Sequence, residues 1–150
     1  MFKVPAIIGD GIAFSPNGRS LVSPSQDKSV CVWNLRDGSS KVMPLTERTS
    51  IFLSTAFSPD GRYIAGGNFR ELLWIWDSRR CTLVAKWLAH TDGVRRMEFS
   101  PDGKLLIGGS ADGTVKCWDV TSLGTGSDLQ SFPQIRAFSR QKVCFFVVFF

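Results

Sequence analysis

The chain repeats itself. Phe14-Ser15-Pro16-Asn17-Gly18 returns as Phe57-Ser58-Pro59-Asp60-Gly61 and again as Phe99-Ser100-Pro101-Asp102-Gly103, at spacings of 43 and 42 residues. A second marker keeps the same phase: Trp33-Asn34, Trp76-Asp77 and Trp118-Asp119 also stand 43 and 42 apart. Two unrelated motifs sharing one period restrict the fold to a series of like units. Each such unit is one supersecondary element that buries its apolar surface against its neighbours.

Each marker has a local physical reason. Ser-Pro-Asp-Gly is type I turn chemistry, with Pro presetting φ at the second position and Gly suiting the fourth. A strand-like run, such as Val94 to Phe99, precedes the turn, and another, such as Leu105-Leu106-Ile107, follows it. The polar turn Ser110-Ala111-Asp112-Gly113 leads into the alternating run Thr114-Val115-Lys116-Cys117-Trp118. A further run follows the Trp-Asp pair, clearest from Cys81 to Trp87. Four short antiparallel strands in about 42 residues are the size of one propeller blade. No stretch sustains a helical apolar period. The expected fold class is therefore all-β, with about three four-stranded antiparallel blades whose innermost strands are the runs ending at Phe14, Phe57 and Phe99.

On these motifs the sequence resembles the WD40 repeat family, over roughly residues 5–123. The resemblance divides 1–123 into three repeats, about 5–47, 48–89 and 90–123, followed by a divergent tail, 124–150, with an apolar C-terminus. It implies in each blade a structural hydrogen-bond chain of a His, a Ser or Thr, an Asp and the Trp. By the Phe and Trp register the third repeat offers His90, Asp112 and Trp118, with Gly108 at the Ser/Thr position. The first offers Ser23, Asp27 and Trp33, with Pro5 at the His position. The second keeps only Trp76, with Arg48, Gly66 and Arg70 at the other positions. The stretches Gly61-Arg62-Tyr63-Ile64-Ala65-Gly66-Gly67 and Lys116-Cys117-Trp118-Asp119-Val120-Thr121-Ser122-Leu123 are similar to the propeller of fungal Groucho-type transcriptional corepressors.

A closed propeller has about four to eight blades. Three repeats leave two blade faces without neighbours, which is an apolar liability. Three explanations stay open: a fragment or truncated gene product, an assembly with other copies or another propeller piece, and an incomplete gene model. The repeat phase is lost after Leu123, and Leu129 to Phe138 is expected to supply an improvised fourth strand for the third blade. The run from Val143 to Phe150 matches no blade position, and is either sequence drift or a strand covering one open face.

Charge and motifs narrow the function classes. Net charge is +5, but the basic residues are scattered singly or in pairs such as Arg79-Arg80 and Arg95-Arg96. No run reaches the length of a nucleic-acid or membrane tail, so direct nucleic-acid binding is not expected. The N-terminus lacks the apolar core of a signal peptide, and eight apolar residues fall short of the about 20 that span a bilayer as a helix. Cys31, Cys81, Cys117 and Cys144 form no C-x-x-C pair, and His90 is the one histidine. No metal site is expected, and the thiols favour a reducing compartment, cytoplasm or nucleus. No G-x-S-x-G elbow, G-x-G-x-x-G or G-x-x-x-x-G-K-[ST] stretch occurs. The chain is accordingly expected to be no enzyme, with no catalytic residues and no cofactor, and His90 is read as structural.

The expected function is a protein-interaction scaffold, with self-association through open blade faces as a further possibility for its partners. The alternative is a remnant that no longer closes a ring. The resemblance implies a contact face bearing the loop before each innermost strand and the loop before each Trp strand. The register places its contact positions on Ile8, Asp10 and Gln26, then Ile51, Leu53 and Phe69, then Gly93, Arg95 and Ala111. The second repeat stands out because all three of its positions are apolar. Ile51, Leu53 and Phe69, with Arg95 as polar neighbour, are therefore the expected partner-binding residues. For Phe69 a second reading stays open, in which the ring is tucked against neighbouring blades.

Overall fold

The computed structural model describes residues 11–25, 27–46 and 50–124, and the backbone alone of 134–138. Every regular element there is a strand. Strands β1 (Ala13–Phe14), β2 (Ser20–Pro24), β3 (Val30–Asn34) and β4 (Ser40–Val42) form the first antiparallel sheet in sequence order. Strands β5 (Phe52–Phe57), β6 (Tyr63–Asn68), β7 (Leu72–Asp77) and β8 (Thr82–Leu88) form the second. Strands β9 (Val94–Phe99), β10 (Leu105–Ser110), β11 (Val115–Asp119) and β12 (Gln134–Phe138) form the third. Phe14, Phe57 and Phe99 each close the innermost strand of a sheet, and β12 falls inside the stretch expected to supply the outer strand of the third blade.

The first hairpin of every blade is built by the same local chemistry. The amides of Gly18, Gly61 and Gly103 donate to the carbonyls of Ser15, Ser58 and Ser100, each at 2.8 Å. The three serine hydroxyls donate to Asn17, Asp60 and Asp102, at 2.8, 2.5 and 2.6 Å. Each hydroxyl also accepts the first amide of the next strand, at 2.9, 2.8 and 2.9 Å. The three glycines sit at φ of 65°, 69° and 71°. A Cβ is disfavoured in that left-handed region, so glycine is the natural residue there.

This turn sets one register in all three blades. Leu21 pairs with Trp33, Ile64 with Trp76 and Leu106 with Trp118. Side chains alternate along a strand, so each Trp stands on the same face of its blade, the face toward the preceding one. Val22, Val30 and Met43 of the first blade pack with Phe52, Ile64, Trp74 and Trp76 of the second. The opposite face of the second blade, with Ala56, Ala65, Leu73 and Ile75, packs with Val94, Met97, Phe99, Leu106 and Trp118 of the third. The middle blade is thus buried on both sides.

The outer faces differ. Ile12 and Phe14 occupy the positions that Met97 and Phe99 fill in the third blade, yet they are 46% and 67% exposed. Ile107 and Val115 correspond to the fully buried Ala65 and Leu73, yet they are 40% and 43% exposed. The expected Phe-rich run of 143–150 lies outside the described residues.

Candidate functional site

Two constellations stand out: the polar frame around each blade Trp, and an aromatic patch where the second and third blades meet.

The frame is fullest in the third blade. His90, 1% exposed, donates from Nδ1 to Asp112 at 3.1 Å and lies 3.0 Å from the Thr114 hydroxyl. Asp112 also accepts the Thr91 amide at 3.0 Å, the Thr114 amide at 2.8 Å and the Thr114 hydroxyl at 2.6 Å. Burial alone would raise the Asp112 carboxyl, but these donors and His90 together hold it well below the ordinary carboxylate range. Burial pushes His90 below its usual value, against the pull of the Asp112 carboxylate. The His90 ring meets Trp118 edge-on, with centroids 5.6 Å apart. The chain of bonds stops there. Gly108 stands at the Ser/Thr position with the edge of the Trp118 ring against it, and the buried Trp118 Nε1 has no hydrogen-bond partner among the described residues.

In the first blade a hydroxyl stands at the same register: Trp33 Nε1 donates to Ser23 Oγ at 2.9 Å. Asp27 is engaged elsewhere, accepting the Ser29 amide at 2.9 Å and the Ser29 hydroxyl at 2.5 Å. In the second blade, Trp76 Nε1 instead donates to the Pro44 carbonyl at 2.8 Å, a partner from the preceding blade's outer end. Arg70 is exposed and takes no part in the frame. Its turn is held by Asn68, whose side-chain oxygen accepts the amides of Arg70 and Leu72, both at 3.0 Å. The sequence reading missed Asn68. Its signal was an Asn closing a strand just before a turn, where the side chain substitutes for a backbone acceptor.

The patch gathers residues that the register had placed apart in sequence. Phe69 N donates to the Ile51 carbonyl at 2.8 Å. The Arg95 guanidinium lies 5.9 Å from the centre of the Phe69 ring, within the range of cation–π attraction. A Cβ at Gly93 would stand 3.2 Å from both the Leu53 side chain and the Phe69 carbonyl, so the two blades touch here. Phe69 is 51% exposed, while Ile51 and Leu53 are half-buried and Ala111 is exposed. Ile8, Asp10 and Gln26 lie outside the described residues. Beside Phe69 opens a cleft of about 530 Å³ lined by Phe69, Arg70, Glu71, Leu72, Leu88 and Asp92.

The ring partners of His90 are Asp112, the Thr114 hydroxyl and the Gly108 carbonyl, and the Thr114 hydroxyl itself donates to Asp112 at 2.6 Å. No cluster of three or more metal-ligating side chains occurs among the described residues. No helix there is long and apolar enough to cross a membrane.

The family model for the "WD domain, G-beta repeat" matches residues 10–34 and 81–119, stretches that end at the first and third Trp markers. These are WD40 repeats. Strands β5 to β7 of the second blade lie between the two matches, and its outer strand β8 falls inside the second match. Pre-mRNA-processing factor 19 homolog 2 of Arabidopsis thaliana is 30% identical over 75% of this chain and 21% of its own length. Transducin-like enhancer protein 2 of Mus musculus is 27% identical over 70% of this chain and 14% of its own length. The chain spans about a fifth or less of both curated relatives. Among solved structures, that of U3-55K superposes with a TM-score of 0.75 at 24% identity, covering 85% of this chain and 38% of that one. A chain of the mitotic checkpoint complex gives a TM-score of 0.74 at 22% identity, covering 89% and 40%. These likenesses establish the fold: a partial WD40 propeller of three blades.

Proposed function

We propose that the chain is a non-catalytic protein-interaction scaffold, and that its contact surface is the end of the second and third blades bearing Ile51, Leu53, Phe69 and Arg95. One observation carries this reading. Phe69 stands half-exposed at the tip of a tight turn whose amides Asn68 holds, with an arginine of the next blade against its ring. An aromatic fixed at a junction of rigid elements is the kind of group that concentrates binding energy. The frame residues His90, Asp112, Trp118, Ser23, Trp33 and Trp76 serve to hold the blades, Asp27 serves its own turn, and the units run about 5–47, 48–89 and 90–123. The parent protein we read as corepressor-like, acting in the cytoplasm or nucleus. Likeness to Transducin-like enhancer protein 2 supports this.

The test is an alanine substitution. Phe69→Ala is expected to weaken partner binding by about 2 kcal/mol or more while leaving the melting temperature nearly unchanged. Lowered stability with binding intact would make Phe69 a packing residue and overturn the reading. Self-association is a second mode of partnership, favoured by the exposure of Phe14 and Ile12 on the first blade.

A further inference from the structure

The patch and the cleft beside it carry information about what they hold. Arg70 and Arg95 are both exposed, and neither has a carboxylate within salt-bridge distance among the described residues. The acidic groups around them are already committed or misplaced for pairing. Asp112 is saturated by Thr91, Thr114 and His90. Asp92 accepts the amide of its own neighbour Gly93 at 2.6 Å. Glu71 lies in the cleft wall with a backbone φ of 68°, which fixes the turn that presents Phe69. The apolar part of the cleft comes from Leu72 and Leu88, which face each other across β7 and β8, and from Phe69. Leu88 is 63% exposed, so this leucine pair and the ring form an apolar seat open to solvent.

We propose that the occupant is an extended segment of a partner protein that carries an apolar side chain next to an acidic one. The apolar side chain fills the seat between Leu72, Leu88 and Phe69. The carboxylate binds the Arg95 guanidinium, whose fork of N–H donors matches a carboxylate in two bonds. Arg95 already leans on the Phe69 ring, so its planar head is held near where the ligand's charge arrives. Glu71 and Asp92 line the cleft together with Arg70, so the seat itself carries mixed charge, and the attraction for the carboxylate is placed at Arg95 beside the ring. The inference rests on the scaffold reading above, and adds to it the chemistry of the partner.

The experiment uses the full chain as bait for a random dodecamer peptide library displayed on phage. Enriched peptides are then synthesised and titrated by fluorescence anisotropy, with the fold of each variant checked by circular dichroism. The expected result is a shared pattern of one large apolar residue adjacent to Asp or Glu. Binding should fall about tenfold in Arg95→Gln, and equally on changing the peptide's acid to its amide. Leu88→Ser and Phe69→Ala should each weaken the same peptides, and binding should weaken with added salt. Peptides that require Phe69 but neither a carboxylate nor Arg95 would overturn this inference and leave the scaffold reading intact. Peptides indifferent to Phe69, or no enrichment at all, would overturn both.

Discussion

Asp112 and Asp102 are both turn aspartates in the third blade, and they differ in what leans on them. Asp102 is exposed and serves only its own turn, through Ser100 and the Lys104 amide. Asp112 joins the turn before β11 to the loop before β9, because it holds Thr91, Thr114 and the buried His90 at once. Removing one partner of a buried polar chain costs about 1–3 kcal/mol. Asp112→Ala should therefore lower the melting temperature clearly more than Asp102→Ala, and equal shifts would show that the frame contributes nothing beyond turn chemistry. The same residues set a pH response. Both His90 nitrogens face acceptors, Asp112 on one side and the Gly108 carbonyl at 3.2 Å on the other, and the imidazolium would satisfy both. Burial nevertheless outweighs this and depresses the folded pKa. The unfolded chain then takes up its proton first, so stability is whole above about pH 6.5 and is lost as pH falls through that value toward the folded pKa. Asp112, also depressed, adds a further loss only in the acid range below its ordinary value. Chemical denaturation at pH 7.5 and 5.5 should show lower stability at the acid value. His90→Gln should flatten that difference, since His90 is the sole histidine. A gain in stability on acidification would mean that the imidazolium is the buried form.

At the scale of the blade, the informative position is the one that faces the residue two before the Trp. It is Ser23 in the first blade, Gly66 in the second and Gly108 in the third. Where it is serine, the Trp is bonded. Where it is glycine, the Trp ring moves into the space: a Cβ would stand 2.7 Å from Trp76 at Gly66 and 2.8 Å from Trp118 at Gly108. Filling that space should strain the core by about 1–3 kcal/mol. Gly108→Ala bears that strain with no return. Gly108→Ser bears the same Cβ, but its hydroxyl comes within reach of His90 Nε2, which lies 3.4 Å from that Cβ. The serine variant is expected to unfold at higher denaturant concentration than the alanine variant, and coincident curves would show that a hydroxyl here gains nothing from His90. This contrast also shows what could be read from sequence. The turns and the Trp register were legible because their chemistry is local and recurs three times. The Pro44 carbonyl on Trp76 and the role of Asn68 were not, because both arise where motif residues are missing and packing supplies substitutes. Likewise the register placed Ile51, Leu53, Phe69 and Arg95 on one contact face, whereas the Leu72–Leu88 seat comes from a strand edge that no motif marks.

For the whole molecule the decisive quantity is the mismatch between inner and outer blade faces. Within the chain, the second and third blades present their Trp faces to the blade before, the first blade meets the second with Val22, Val30 and Met43, and the second meets the third with Ala56, Ala65, Leu73 and Ile75. The two outer faces therefore have complementary character: Ile12 and Phe14 lead, and Ile107 and Val115 trail. A second copy can meet the first head to tail, a heterologous contact that either closes or propagates. Exposed apolar area of this kind favours association through the hydrophobic effect, at about 25 cal/mol per Å² removed from water. The trailing innermost strand works against this. It carries the exposed Arg96 and Glu98, where the middle blade has the buried Ser54 and Ala56. Two charges at a blade junction are costly to desolvate unless paired, so the contact should be weaker than the two junctions within the chain. Sedimentation velocity of the 150-residue chain should accordingly show reversible, concentration-dependent association. Phe14→Ser should shift it toward monomer. Replacing both charges, Arg96→Ser with Glu98→Ala, should strengthen it by restoring the small-residue face of the middle blade. A chain that stays monomeric at every concentration, with and without the charge replacement, would show that these faces are covered by something other than a second copy.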